Sequence, residues 1–201
     1  MTASLHRPEE WERIVKILED LRAESSLLGI PTVEQGDGMV IQALSFKYSV
    51  SGGKLFADLG AGVGYSTAWM LLGVEAGCSG GGCRVLAVEW MPGRAERLKR
   101  LGSLLELSNV IVDVREENAL DTLESLEDSS LSLVFVDVEK ELYPHILKLL
   151  ESKLESGGAA LFHNAFYPKP PERFFIELEK GPWRATISPS GPGLMIAFLE
   201  R

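Results

Sequence analysis

From residue 54 onward the chain alternates short apolar runs with longer stretches in which apolar residues recur every three or four positions. The runs KLFADL (54–59), CRVLAVE (83–89), NVIVDV (109–114), LSLVFVDV (131–138) and GAALFHN (158–164) have the length and continuity of strands buried on both faces. Between them lie helical patterns at 65–74, at 92–107 with Pro92 at the start, near 119–127 and at 141–154. Strands alternating with helices at this spacing imply a parallel sheet covered on both sides, an α/β fold. The end of the chain breaks the rhythm. After a helix at 171–180, WRATISP (183–189) and GLMIAFLE (193–200) follow each other across the turn SPSGPG and should pair antiparallel. A seven-stranded, mostly parallel sheet with helices on both faces and a C-terminal antiparallel hairpin is therefore predicted.

Ahead of the sheet, Trp11, Ile14, Val15, Leu18 and Leu21 recur at helical spacing after Pro8, and a second helix is expected near Gly38 to Tyr48. The first helix is read as a packing element that covers the sheet or a subunit interface, the latter serving a homodimer. Residues 1–50 would form a helical cap on one domain spanning 1–201.

Composition narrows the partners. The formal net charge of −9 repels phosphate backbones, which disfavours nucleic acid. No stretch approaches the roughly 20 apolar residues of a membrane span, so a soluble cytoplasmic protein is expected. Cys78 and Cys83 bracket CSGGGC; two thiols fall short of a zinc site, and a pair of free thiols is favoured over a loop-closing disulfide.

The candidate chemistry starts at FADLGAGVGYS (56–66), where the first strand turns into the first helix of the alternating region. In such a sheet the ligand binds outside the carboxyl ends of the strands, at that turn. Gly60, Gly62 and Gly64 bare the backbone there, but with the spacing G-x-G-x-G instead of the dinucleotide G-x-G-x-x-G. Asp58 would oppose a pyrophosphate and favour an ammonium. Glu89, ending the second strand, suits the two hydroxyls of an unphosphorylated ribose. S-adenosylmethionine (SAM), with a ribose at one end and an amino acid at the other, satisfies both carboxylates. The same edge receives Asp137 and Lys140 from the fourth strand, and His163 and Asn164 from the fifth. Asp137, His163 and Asn164 offer a carboxylate, an imidazole and an amide oxygen to a divalent cation.

The segments DLGAGVGYS, AVEW, ENALDTL, FVDVEKELYPHILKLLESKLESGG and HNAF together resemble the class I SAM-dependent methyltransferases, and within them the metal-dependent catechol and caffeoyl-CoA O-methyltransferase group. The resemblance runs from about residue 36 to the C-terminus and implies a Rossmann-like fold. It implies that Tyr65 and Ser66 belong to the cofactor loop, Ser66 holding the cofactor carboxylate, and that Glu89 holds the ribose. Trp90 would pack beside the adenine, and Asn118 and Ala119 would border it. Asp137 would serve cofactor, metal and catalysis together, with Lys140 as the base that takes a proton from a metal-oriented hydroxyl of a small acceptor. The group ends its fifth strand with Asp-Asn where this chain has His163-Asn164. Loss of that carboxylate weakens a Mg²⁺ site and suits Mn²⁺ or another transition metal better. Three outcomes stay open at this point: a changed metal, a weaker Mg²⁺ site, or none. The acceptor site would come from the segment before residue 54, the loop after Asn164 with Tyr167 on its rim, the 188–193 turn, or a partner subunit. The competing readings are methylation of a tRNA base or another large substrate, and a cofactor-binding protein without transferase activity. A nicotinamide dehydrogenase is disfavoured by the glycine spacing and by Asp58.

Overall fold

The computed structural model describes residues 8–200. Residues 1–7 of the expected cap lie outside them. The stretch ahead of the sheet holds α1 (Pro8–Leu27) and α2 (Gln35–Val50), and the alternating region begins with β1 (Leu55–Leu59) and α3 (Tyr65–Gly77). There follow β2 (Cys83–Val88), α4 (Pro92–Leu98), α5 (Leu101–Leu104), β3 (Val110–Arg115), α6 (Ala119–Ser125) and β4 (Leu131–Val136). A 3-10 turn (Lys140–Leu142), α7 (Tyr143–Lys153), β5 (Leu154–His163), α8 (Glu172–Lys180), β6 (Trp183–Ser188) and β7 (Leu194–Leu199) complete the order. One seven-stranded sheet runs β3-β2-β1-β4-β5-β7-β6, parallel except where β7 pairs with β5 and β6. The expected Rossmann-like architecture and its antiparallel end are both present.

The register shows why the strand sequences are apolar throughout. Phe56, Val85, Leu133 and Ala159 share one rung and enter the core under α1, α2 and α3. Their successors Ala57, Leu86, Val134 and Ala160 share the next rung and enter the opposite core, with α6, α7 and α8. The alternation follows from the two-residue period of a strand, and both faces demand apolar side chains. On the first face α2 and α3 lie in close contact, because a Cβ at Gly73 would meet the carbonyl oxygen of Gln42 and one at Gly77 would meet Ser49.

Three local expectations change. The buried stripe of α1 is Ile14, Ile17, Leu18 and Leu21, while Trp11 and Val15 are 45% and 51% exposed. At 3.6 residues per turn Ile17 belongs to that stripe better than the two flanking residues. The helix foreseen over 92–107 is divided at Lys99 and Arg100, where fully buried Leu98 and Leu101 both seat against Gly64. Finally, Cys78 and Cys83 are joined in a disulfide, not free. The loop from α3 to β2 brings their Cα atoms to 6.2 Å, within bridging range. Closing so short a ring removes little chain entropy, so replacing both cysteines with serine is expected to cost about 2 kcal/mol. A lowered urea midpoint with unchanged m would show it.

Candidate active site

The order of strands reverses between β1 and β4, the switch point at which open α/β sheets bind ligands. Asp58 lies on β1, Glu89 and Asp137 directly follow β2 and β4, and His163 ends β5. Each stands two residues beyond a side chain of the first core, namely Phe56, Ala87, Phe135 and Leu161. Strand periodicity therefore sends all four toward the face covered by α2 and α3.

Asp58 is fully buried. Its Oδ2 accepts from Ser66 Oγ at 2.8 Å and from Thr67 Oγ1 at 2.5 Å, both in the first turn of α3. Its Oδ1 has no partner among the described residues. Burial pushes the carboxyl up to about 7, the two hydroxyls pulling against it and the charges of Asp137 and Glu89 adding to it. Ser66, expected at the cofactor carboxylate, here serves Asp58. Thr67 escaped notice in the sequence, although its place after Ser66 in a first helical turn was the available signal.

The bare loop is shaped by three left-handed glycines, with φ of 91° at Gly60, 57° at Gly62 and 102° at Gly64. Gly60 is also an approach requirement, since a Cβ there would collide with the backbone carbonyl of Asp137. Glu89 braces the same loop. Its Oε2 accepts from the Gly62 amide at 3.1 Å, its Oε1 from the Met91 amide at 2.9 Å, and Arg94 stands 3.8 Å away. A cleft lined by Ile30, Thr32, Gly62, Tyr65, Ser66 and Asp137 opens over the loop. Trp90, directly after Glu89, is 65% exposed and is not among the residues lining this cleft, and Asn118 and Ala119 stand at the start of α6 beyond β3. Asn118 Oδ1 caps that helix by accepting from the Leu120 amide at 2.8 Å, and Ala119 is buried in the second core.

Beside the loop, Asp137 Oδ1 accepts from Lys140 Nζ at 2.8 Å, and its Oδ2 lies 3.2 Å from His163 Nδ1. Burial alone would raise the Asp137 carboxyl, but His163 and Lys140 outweigh it and hold it below the usual carboxylate range. Lys140 also donates to Val138 O at 3.0 Å and to the Tyr143 hydroxyl at 2.9 Å. That fully buried hydroxyl lies 3.0 Å from the carbonyls of both Val136 and His163, and burial raises its pKa well above the ordinary value. His163, 4% exposed, has its Nε2 3.6 Å from Asp37 Oδ2 on α2. Burial would lower its pKa, yet the two carboxylates raise it to about 9.

Asn164 is not drawn into this group. Its backbone is left-handed (φ 61°), and its side-chain nitrogen donates to Tyr167 O at 2.7 Å. Among the described residues no cluster of three or more His, Cys, Asp or Glu side chains is arranged to hold a metal ion. The segments expected to shape an acceptor site do meet. The amides of Ala165 and Phe166 donate to Gly193 O and Pro192 O, each at 2.8 Å, and the Gly191 amide reaches Glu34 Oε2 at 3.4 Å. Tyr167 at their edge is 79% exposed.

A glycine loop braced by one acidic strand end, beside a second acidic strand end at the switch point, defines the class: a methyltransferase of the Rossmann-like kind. Residues 57–165, more than half of the chain, match the family described as methyltransferase domain, and the chain belongs to that family. Its fold recurs in a methyltransferase from Geobacter sulfurreducens (TM-score 0.74, 17% identity, covering 94% of this chain and 88% of that one). It recurs too in the O-methyltransferase from Bacillus cereus in complex with SAH (TM-score 0.73, 18% identity, 98% and 93% covered). The O-methyltransferase TomG from Streptomyces achromogenes, involved in tomaymycin synthesis and solved with SAM, gives a TM-score of 0.72 at 19% identity, with 92% and 89% covered. No curated protein shows significant sequence similarity to the chain. Among the described residues no helix is long and apolar enough to cross a membrane.

Proposed function

We propose that the chain is a SAM-dependent O-methyltransferase acting on a hydroxyl of a small acceptor. The observation that carries the proposal is the unpaired, fully buried Oδ1 of Asp58 behind the glycine loop. A carboxyl whose charged form is disfavoured by burial is stabilised in that form when a cation approaches, and the ammonium of SAM is such a cation. In this reading the loop from Gly60 through Ser66 cradles the amino-acid end, and Glu89 takes the ribose with the lone pairs its two amide contacts leave free. Trp90, Asn118 and Ala119 line the adenine side. The B. cereus and S. achromogenes proteins, crystallised with SAH and SAM, share the fold and support the same ligand by analogy.

When bound, SAM supplies a methyl group on a sulfonium, open to in-line attack by oxygen. The chain's task is to orient the acceptor oxygen and remove its proton. Asp137 and Lys140 stand beside the loop for this purpose. Lys140 takes the proton as the neutral amine, after one ammonium proton has passed to water and one of its three contacts, to Asp137, Val138 or Tyr143, has been released, and it ends the step as ammonium. The rim joining Glu34, Ala165, Phe166 and Gly191 through Gly193 holds the acceptor. It is formed of short loops, which suits a small molecule, and the charge of −9 argues against a nucleic-acid substrate. A cytoplasmic setting belongs to the same proposal; sedimentation analysis decides between a monomer and a homodimer built on α1.

Lys140→Ala is expected to lower kcat by about 100-fold or more while leaving the Kd for SAM within a factor of two to three. Calorimetry and a methyl-transfer assay over hydroxylated acceptors measure both quantities. Unchanged turnover would remove Lys140 from the mechanism, and a chain that binds NAD but not SAM would end the proposal.

A further inference from the structure

Asp37 lies in the first turn of α2, fully buried, and neither of its carboxylate oxygens has a hydrogen-bond partner among the described residues. A buried carboxylate left in that state is costly unless an opposite charge faces it. His163 does so, with Nε2 at 3.6 Å, an ion-pair distance longer than a hydrogen bond. The second ring nitrogen faces Asp137 Oδ2 at 3.2 Å, and Asp137 Oδ1 is held by Lys140 Nζ at 2.8 Å. Four groups from α2, β5, the end of β4 and the 3-10 turn thus form one line of alternating charge: carboxylate, imidazolium, carboxylate, ammonium.

This donor set does not fit a divalent cation. A histidine ligand presents one nitrogen lone pair to the metal, and here both nitrogens face carboxylates. The Nδ1 side of the ring stands at hydrogen-bond distance from Asp137 Oδ2, 3.2 Å, so that this nitrogen is engaged with a carboxylate. Lys140 takes the other Asp137 oxygen, and among the described residues no cluster of three or more His, Cys, Asp or Glu side chains is arranged around this point to hold an ion. With Lys140 in its ammonium form, the two cations His163 and Lys140 bring to Asp137 the same total charge as one divalent ion.

We propose that Asp37 is a positioning residue which pins the His163 ring against Asp137, so that His163 and Lys140 together supply the positive charge at the acceptor site and no divalent cation is bound there. The inference rests on the methyl-transfer reading for its role in turnover, but not for the charge arrangement itself. Asp37 acts through His163 and touches neither acceptor nor SAM.

Two measurements on the unmodified protein come first. MnCl₂ alone, titrated by calorimetry and followed by electron paramagnetic resonance, is expected to show no site-bound ion at 1:1 stoichiometry. Nitrogen-15 NMR of labelled histidine is expected to show both ring nitrogens of His163 protonated at neutral pH. In Asp37→Asn the His163 titration midpoint is expected to fall by about one pH unit or more. With SAM and an acceptor identified, the same variant is expected to lose about 10- to 100-fold in kcat with the SAM Kd unchanged, and EDTA to leave wild-type turnover intact. A stoichiometric Mn²⁺ site lost in His163→Gln overturns the proposal, as does a neutral His163 ring in the wild type. Failure to bind SAM would instead sink the methyl-transfer reading and leave the NMR and Mn²⁺ results to stand on their own.

Discussion

Asp58→Asn is expected to abolish tight SAM binding and yet to raise the melting temperature of the ligand-free protein at pH 8. The Asp58 carboxyl is raised from an ordinary 3.8 to about 7 by burial, so the folded state holds this proton more tightly than the unfolded chain. Where the folded state binds more protons, stability falls as pH rises. The loss accumulates between about pH 4 and pH 7 and is complete above. At 1.36 kcal/mol per unit it amounts to about 4 kcal/mol at pH 8. Asparagine keeps an acceptor for Ser66 and Thr67 but leaves one buried amide donor unpaired, at a cost of about 1–3 kcal/mol. The variant should therefore be the more stable protein at pH 8 and the less stable one at pH 4, where little of that loss has accumulated, each by a few degrees in Tm. Its SAM affinity should fall by about 100-fold or more, since the ammonium would enter the site without its counter-charge. Thermal melts at the two pH values, with and without SAM, read all of this. A variant that melts lower at both, or that still binds SAM, contradicts the role given to Asp58.

Gly60→Ala is expected to fail more completely. At φ 91° an L side chain is strained by about 1–3 kcal/mol, and the added methyl would strike the Asp137 carbonyl. That carbonyl cannot drift away, because the Asp137 amide donates to Leu59 O at 2.8 Å as β4 runs beside β1. Overpacking against fixed backbone adds about 1–3 kcal/mol. A loss of about 3–5 kcal/mol and of about 10 °C in Tm is anticipated, with Asp137 displaced from Lys140 and His163. Gly62→Ala provides the contrast. Its φ of 57° is one that L residues visit, and its methyl would only touch the Ile30 side chain at 3.4 Å. If the two variants melted alike, the close approach at Gly60 would not be what holds the switch point together.

The sheet was legible because β1, β2, β4 and the second half of β5 are short apolar runs buried on both faces, while the edge strand β3 is only partly buried and admits Asp113 and Arg115. The carboxylates Asp58, Glu89 and Asp137 were legible for the opposite reason: each interrupts or ends such a run, where a charge has no packing role. Asp37 carries no comparable mark. It is one acidic residue at a helix start, a place that commonly takes aspartate, and its meaning depends on a histidine 126 positions away. The roles of Asn118 and Ser66 were partly hidden for a related cause, since short polar side chains that can contact a ligand can equally cap a helix or brace a buried acid. The expectation of a cation site at Asp137, His163 and Asn164 placed the right strands together. It could not show that His163 would turn its two nitrogens to two carboxylates, or that a left-handed Asn164 would lead the chain toward Tyr167. The division of the 92–107 helix and the Cys78–Cys83 bond depend on tertiary contacts at Gly64 and in the α3–β2 loop that periodicity does not encode.

The disulfide loop stands at the amino end of β2, whereas Glu89 stands at its carboxyl end, about 20 Å away along six residues of strand. Gly80, Gly81 and Gly82 within it all have positive φ, and side chains added there would meet open space. The molecule thus has one pole that gathers the glycine loop and the buried carboxylates, and another closed by a covalent clasp around spare backbone. A peptide tag or surface anchor spliced into the clasp would tether the enzyme with its working mouth facing outward.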